Sequence, residues 1–451
     1  MKKATILTVL LALVVVFAPM TSALAAGYNL AGVGAKALSM SGAYRAIADD
    51  AYAIYWNPAG LAGQQQAIYL EGKVLMPSVD LTPAPNAGAH YLNKAYEAKA
   101  EVFPSGSFAY VHPINDKMTA GIAIYAPTAI GVTWESLVKP MVTNTQWPVE
   151  DWMGSIRVID IHPTFAYKVN PKLKLGLGLV INYADIALQY PSFIPTGQVD
   201  DVQVLAELTG TGMGFGANLG ALYDINEKMH VGFNFYSGAT LPISGSVLQT
   251  VYYPNFGVAP YLGQTASAEP DAEADFPLPM EAGLGFAYDV NDRLTVAVDV
   301  QWTNWAVAEI VDVEMTGTGI GGAPAEDGEL VLNYEDVIRF NLGANYVVDP
   351  AKGFEVRAGY YYDPTAIPDE TLRPSITDVA NKHSISIGGA YNIMPNVKAE
   401  CYWEHLFSNT REALDANIVD GEQLNVPGFW KMGVETIGIQ FTYFFNMGGE
   451  E

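Results

Sequence analysis

Tyr167-Lys168-Val169-Asn170-Pro171-Lys172-Leu173-Lys174-Leu175-Gly176-Leu177-Gly178-Leu179-Val180-Ile181-Asn182-Tyr183 holds a turn and a strand in one stretch. Asn170 beside Pro171 supplies turn geometry. After it Leu173, Leu175, Leu177, Leu179, Ile181 and Tyr183 share one face, and Lys174, Gly176, Gly178 and Asn182 the other. A period of two sustained over this length means a strand with one oily face. The turn phrase is an aromatic-ended run followed by Asn or Asp beside Pro, Glu or a cation, and it returns at residues 110–118, 223–229, 288–294, 346–350 and 391–397. The Tyr that opens each copy carries the amphipathic ring favoured where a membrane meets water.

The oily face returns as well. Met280, Ala282, Leu284, Phe286 and Tyr288 oppose Glu281, Gly283, Gly285 and Asp289, and Ile338, Phe340, Leu342, Ala344 and Tyr346 oppose Arg339, Asn341 and Asn345. In a soluble sandwich such faces would pack on a second sheet, but each run here is as long as a tilted membrane-spanning strand. Strand cores are expected at 66–76, 101–112, 117–127, 154–168, 172–189, 210–224, 228–240, 277–289, 293–306, 334–348, 353–363, 382–392, 396–407 and 434–445. Six short turns and seven long connections join them, so the strand number is even and both ends of the barrel emerge on the short-turn, periplasmic side. The long connections, near 77–100, 128–153, 190–209, 241–276, 307–333, 364–381 and 408–433, are expected to be extracellular loops. The fold class is therefore all-β, a transmembrane antiparallel barrel of about fourteen strands.

The first residues say where such a barrel would sit. Lys2 and Lys3 precede an apolar run from Ile6 to Phe17, and Ala23-Leu24-Ala25 is a small-x-small cleavage site. This predicts an export signal over 1–25, a Gram-negative outer-membrane destination, and a barrel domain over 66–451. Outside the leader no run of about 18 apolar residues occurs, which argues against a helical membrane protein. The formal charge of −25, or −27 without Lys2 and Lys3, makes nucleic acid an improbable partner. The one cysteine, Cys401, excludes an internal disulfide framework. His112, His162, His230, His383 and His405 show no metal-ligand spacing, so neither a metal nor a cofactor is expected. Acidic loop residues from Glu269 to Asp275 read as solvated charge in preference to a divalent-cation site with lipopolysaccharide.

Residues 26–65 break the alternation and are rich in Ala and small residues with short helical patches. A barrel of fourteen strands is too wide for its own side chains to fill, so this segment reads as a plug, or hatch, in the lumen.

At this point the chain resembles the long-chain fatty acid transporter family of outer-membrane proteins, which includes channels for aromatic hydrocarbons. The resemblance rests on Ala48-Asp49-Asp50-Ala51 followed by Asn57-Pro58-Ala59, soon after a start at Ala26-Gly27-Tyr28, and on Tyr125-Ala126-Pro127 with Gly131 in the third strand. It implies a hatch motif of Asp49, Asp50, Asn57, Pro58 and Ala59, and a third strand kinked at Pro127 and Gly131 that opens the wall sideways. Elementary chemistry agrees about the kink, because Pro127 removes a ladder donor and Gly131 weakens pairing. The resemblance further implies passive uptake of hydrophobic small molecules, long-chain fatty acids first and aromatic or aliphatic hydrocarbons second, without a covalent step.

Arg157, Arg339 and Arg357 lie opposite oily residues and are expected to face the lumen, where a carboxylate would need a cation; the alternative for each is a structural pair with a neighbouring acid. Phe193, Ile194, Tyr252, Tyr253 and Phe256 fall in the third and fourth long connections, which in the family form an external greasy groove. The expected partners are the hydrophobic ligand, outer-membrane lipid and lipopolysaccharide, with a monomeric protein. The rival readings are an outer-membrane lipase, a general porin and a surface adhesin. One departure from the usual pattern is the tail of residues 446–451 beyond the terminal aromatic Phe445.

Overall fold

The alternating segments close into one antiparallel wall in the computed structural model, which describes residues 31–87, 94–135, 137, 150–194, 202–252, 265–375, 378–419 and 422–445. The expected leader, 1–25, and the tail, 446–451, fall outside the described residues. Fourteen wall strands follow in chain order: β1 (Ala67–Pro83), β2 (Phe103–Pro113), β3 (Met118–Trp134), β4 (Trp152–Lys168), β5 (Leu173–Ile194), β6 (Val202–Asn226), β7 (Met229–Tyr236 with Ala239–Tyr252), β8 (Asp271–Leu278 with Glu281–Asn291), β9 (Leu294–Thr303 with Ile310–Thr316), β10 (Val337–Asp349), β11 (Phe354–Asp363), β12 (Lys382–Met394), β13 (Val397–Ser408) and β14 (Gly428–Phe444). β1 pairs with β14 from Ala67↔Phe444 to Pro83↔Gly428, which closes the wall and sets both barrel ends at the short-turn side.

The turns follow the chemistry of their Asn residues. Asn115, Asn170, Asn226 and Asn291 each accept, through Oδ1, a backbone N–H two residues on at 2.9 Å, and Asp349 does the same from Ala351 at 3.1 Å. The side chain thereby closes a turn that the backbone alone would leave short of acceptors.

Lipid-facing positions are the oily ones. Leu177 is 54% exposed and Phe215 65%, and Leu284, Phe340, Ile387 and Ile439 stand out beside them. So large a continuous apolar surface is stable only against hydrocarbon.

The wall extends further than the alternating oily runs indicate. The expected loop at 241–276 is mostly strand among its described residues, and that at 307–333 opens on the strand Ile310–Thr316, as the upper pieces of β7, β8 and β9. There the faces exchange character: Leu241, Ile243, Val247, Phe276 and Val311 are buried inside the barrel, while Thr240, Ser244, Asp271, Glu273, Asp275, Asp312 and Glu314 are exposed outside. Above the bilayer the outer face meets water and the inner face holds the core, so the pattern inverts. The acidic run after Glu269 accordingly sits on a solvated strand face. The connection after β11 folds back over the barrel, burying Ala366, Ile367, Leu372 and Val379.

Candidate functional site

The segment before β1 occupies the lumen. It holds the helices α1 (Ala35–Ser39) and α2 (Ala53–Trp56) and a 3-10 turn at Pro58–Leu61. The inner wall makes room for it with glycine. A Cβ at Gly176 would strike Pro58 and Ala59, one at Gly220 would strike Asn57, and one at Gly232 would strike the Arg45 backbone. Asn57 caps the 3-10 turn by accepting from Ala59 N at 3.2 Å, and its Nδ2 donates to Arg45 O at 2.8 Å and to Ala221 O of β6 at 3.0 Å. Asn57, Pro58 and Ala59 thus brace the segment against itself and against the wall. Asp49 accepts from Lys36 Nζ at 2.6 Å and from Tyr44 Oη at 3.0 Å. Asp50 accepts from Tyr52 N at 2.8 Å and keeps Oδ2 without a partner among the described residues.

The strongest anchor is one that sequence reading missed. Arg45 reaches Asp299 of β9 at 3.3 Å, Asn234 of β7 at 2.7 Å and Gln301 at 2.5 Å, while Asp299 also accepts the backbone N–H of Tyr44 at 3.1 Å and of Arg45 at 2.9 Å. Both charges are buried, so each depends on the other. Burial, reinforced by Glu400 and Asp49, raises the Asp50 carboxyl well above the ordinary carboxylate range. A carboxyl raised in this way stabilises the seated hatch at acid pH, and that contribution is lost as pH climbs through the raised value. Openings of the hatch, counted as current events in a planar bilayer, are expected to become more frequent from acid toward neutral pH, and Asp50→Asn is expected to flatten that dependence.

The three arginines separate. Arg157 has the same strand parity as the exposed Ile161 and Phe165, so it faces outward and lies 3.6 Å from Asp185 of β5. The lumen assignment for Arg157 is corrected: Ile156 and Val158 are oily on the inner face here, so apolar neighbours alone do not mark the outer side. Arg357 does face inward, but its Nη1 meets Glu400 at 2.7 Å, Nη2 meets Glu355 at 2.6 Å and Nε donates to Asn345 at 3.0 Å. All three nitrogens are engaged, which is the structural pairing weighed for it. Arg339 differs again. Its guanidinium lies 3.9 Å from the Tyr361 ring centre, and Nε and Nη2 have no hydrogen-bond partner among the described residues.

Three spaces stack along the lumen. An apolar cavity lined by Ile156, Ile186, Leu208, Ile243, Phe276 and Val311 lies in the upper barrel, and such greasy linings are what hydrophobic small molecules occupy. Below it a more polar chamber has Arg45 and Tyr55 of the hatch in its floor and Pro127, Asp160, His162 and Glu281 in its walls. Under the hatch, Lys36, Asp49, Lys174, Asp224, His230 and Asp289 line a periplasmic vestibule.

Pro127 adjoins a fault in the wall. The β3 to β4 register shifts by one residue between Tyr125 and Thr128. β2 pairs with β3 only from Phe108↔Ile124 to Pro113↔Thr119, whereas the rest of β2 pairs with β1 and the rest of β3, Gly131 included, with β4. Above the seam, Ala98 N donates to Val79 O at 2.9 Å and Lys99 N to Thr133 O at 2.8 Å. Of the proposed loop contacts, Tyr252 ends the upper piece of β7 and its hydroxyl donates to Glu150 at 2.8 Å. Phe193 and Ile194 end β5, and their side chains, like Tyr253 and Phe256, lie outside the described residues.

A closed fourteen-strand barrel with an oily outer belt, a filled lumen and a greasy upper cavity defines an outer-membrane channel protein. Residues 15–445 match the family described as outer membrane protein transport protein (OMPP1/FadL/TodX), and the chain belongs to it. A long-chain fatty acid transport protein of Escherichia coli O6:H1 is 24% identical over 79% of this chain and 82% of its own. Among solved structures, a Pseudomonas aeruginosa FadL homologue is similar at a TM-score of 0.75 and 16% identity, covering 93% of this chain and 100% of its own. The Pseudomonas putida toluene transporter TodX is similar at 0.72 and 17% identity, with the same coverage. The protein is thus an outer-membrane protein of a family that transports hydrophobic compounds.

Proposed function

We propose that the protein takes up long-chain fatty acids first, and aromatic or aliphatic hydrocarbons second, by passive diffusion through its wall. Ligand enters the upper apolar cavity, descends to the chamber above the hatch as hatch packing relaxes, and leaves sideways between β2 and β3 into the bilayer. The observation that carries this reading is the alignment of the apolar cavity, the chamber and the unpaired β2 to β3 seam at Pro127. Burial favours the sideways exit, since an alkyl chain gains about 0.8 kcal/mol per methylene kept from water. The protein works as a monomer whose oily belt meets lipid and whose upper outer face meets lipopolysaccharide.

Arg339, with nitrogens unsatisfied and turned to the lumen, is the head-group cation in this scheme. Arg339→Met is expected to weaken oleate binding about tenfold, a loss of about 1.4 kcal/mol, while leaving toluene binding within about twofold, as read by titration of the detergent-solubilised protein. The overall reading is tested by uptake of labelled oleate in cells with and without the gene. Equal uptake, with other entry routes removed, would discard it.

A further inference from the structure

The chamber beside the seam is acidic, and this departs from what an anionic cargo needs. Asp160 and Glu281 line it, and Arg45 is the only lysine or arginine among the described residues that do so. Arg45 is already committed to Asp299, Asn234 and Gln301. The remaining polar groups that face this space are neutral. Asn182 donates to Asp160 at 2.5 Å and accepts from Tyr236 Oη at 3.4 Å, and the Tyr125 hydroxyl meets His162 Nδ1 at 2.6 Å. Tyr55 enters from the hatch. His162 is 1% exposed, and its Nε2 has no partner among the described residues.

Asp160 and His162 stand two residues apart on the inner face of β4, which sets them about 6–7 Å from one another along the strand. A hydroxyl entering the chamber can donate to the Asp160 carboxyl group without bringing a charge with it, whereas His162 Nε2 is closed off against Gly178. An anionic oxygen would bring a charge out of water into a space whose described lining offers two acid side chains and no uncommitted lysine or arginine.

Resting on the sideways route proposed above, we propose that this chamber binds the polar end of the cargo as a neutral hydroxyl group, that of an alcohol, a phenol or an undissociated carboxylic acid, and turns anions away. A fatty acid held as its anion across the lumen at Arg339 takes up a proton from solvent hydronium, releasing water, before it passes Asp160, and the proton leaves with it into the bilayer.

The test compares three labelled probes of one chain length, tetradecanol, tetradecanoate and tetradecyl sulfonate, the last being anionic at every working pH. Protein-dependent uptake is measured as the difference between cells with and without the wild-type protein. Tetradecanol and tetradecanoate are expected to enter, and the sulfonate at least about tenfold more slowly. In the Asp160→Asn, Glu281→Gln double variant the ratio of sulfonate to alcohol uptake is expected to rise severalfold. Sulfonate entering the wild type as fast as the alcohol overturns the inference alone. Absence of protein-dependent uptake for all three probes overturns the transport reading and the inference with it.

Discussion

Deletion of Pro127 is expected to cut protein-dependent oleate uptake by at least about tenfold, equivalent to about 1.4 kcal/mol on the barrier, in a barrel that still folds. The register explains why this one residue matters. Below the fault Tyr125 faces Asp160, and above it Thr128 faces Val158, so β3 carries one residue more than β4. A single extra residue bends a strand and raises its twist, and a proline there also withholds a ladder donor. Removing Pro127 deletes the surplus residue and the missing N–H together, so β3 can run straight and pair with β2 above Ile124. Pro127→Ala keeps the surplus residue and should fall between wild type and the deletion. Folding of each variant is read from the heat-dependent shift of the barrel on a gel, and uptake from labelled oleate.

Asp299→Ala is expected to turn a nearly silent barrel into an ion-conducting one. Asp299 receives two backbone N–H groups of the hatch and the Arg45 guanidinium, and it is fully buried. Taking away one member of a buried pair leaves the other charged and uncompensated, at a cost of roughly 3–5 kcal/mol. Arg45 can avoid that cost by leaving the lumen with the segment that carries it. Steady current in planar bilayers should therefore appear in Asp299→Ala and shrink in the double variant Arg45→Met, Asp299→Ala, where no stranded charge remains. Unchanged silence in the single variant would mean that glycine-lined packing around Asn57, not the ion pair, seats the hatch.

What sequence reading reached and what it missed follow from the range of each signal. Alternation in β5, β8, β9 and β10 is local, and there the lipid-facing residues are legible because hydrocarbon demands apolar side chains on one face. Five of the six turns are legible for the same reason, since the Asn or Asp that accepts and the N–H that donates are two residues apart. Upper β7 and β8 do not show as membrane strands in the sequence, because hydrocarbon requires the oily face outside and Leu241, Ile243 and Phe276 put it inside. Arg157 was misplaced where both faces of β4 are apolar. Arg45 with Asp299, and Asp160 with Glu281, join residues far apart in the chain, and no spacing rule brings them together. A period-two search that allows the oily face to switch sides at Gly238 would have recovered the upper wall.

The sideways exit is tested most directly by photolabelling the wild-type protein in native outer membranes with a diazirine-bearing fatty acid during uptake. The account predicts crosslinks at Phe103–Ser107 of β2 and at Tyr125–Val132 of β3, with the vestibule residues Lys174 and His230 unlabelled. Label concentrated at Lys174 and His230, with the β2 to β3 seam clean, would mean that cargo passes down the axis under the hatch, and would contradict it.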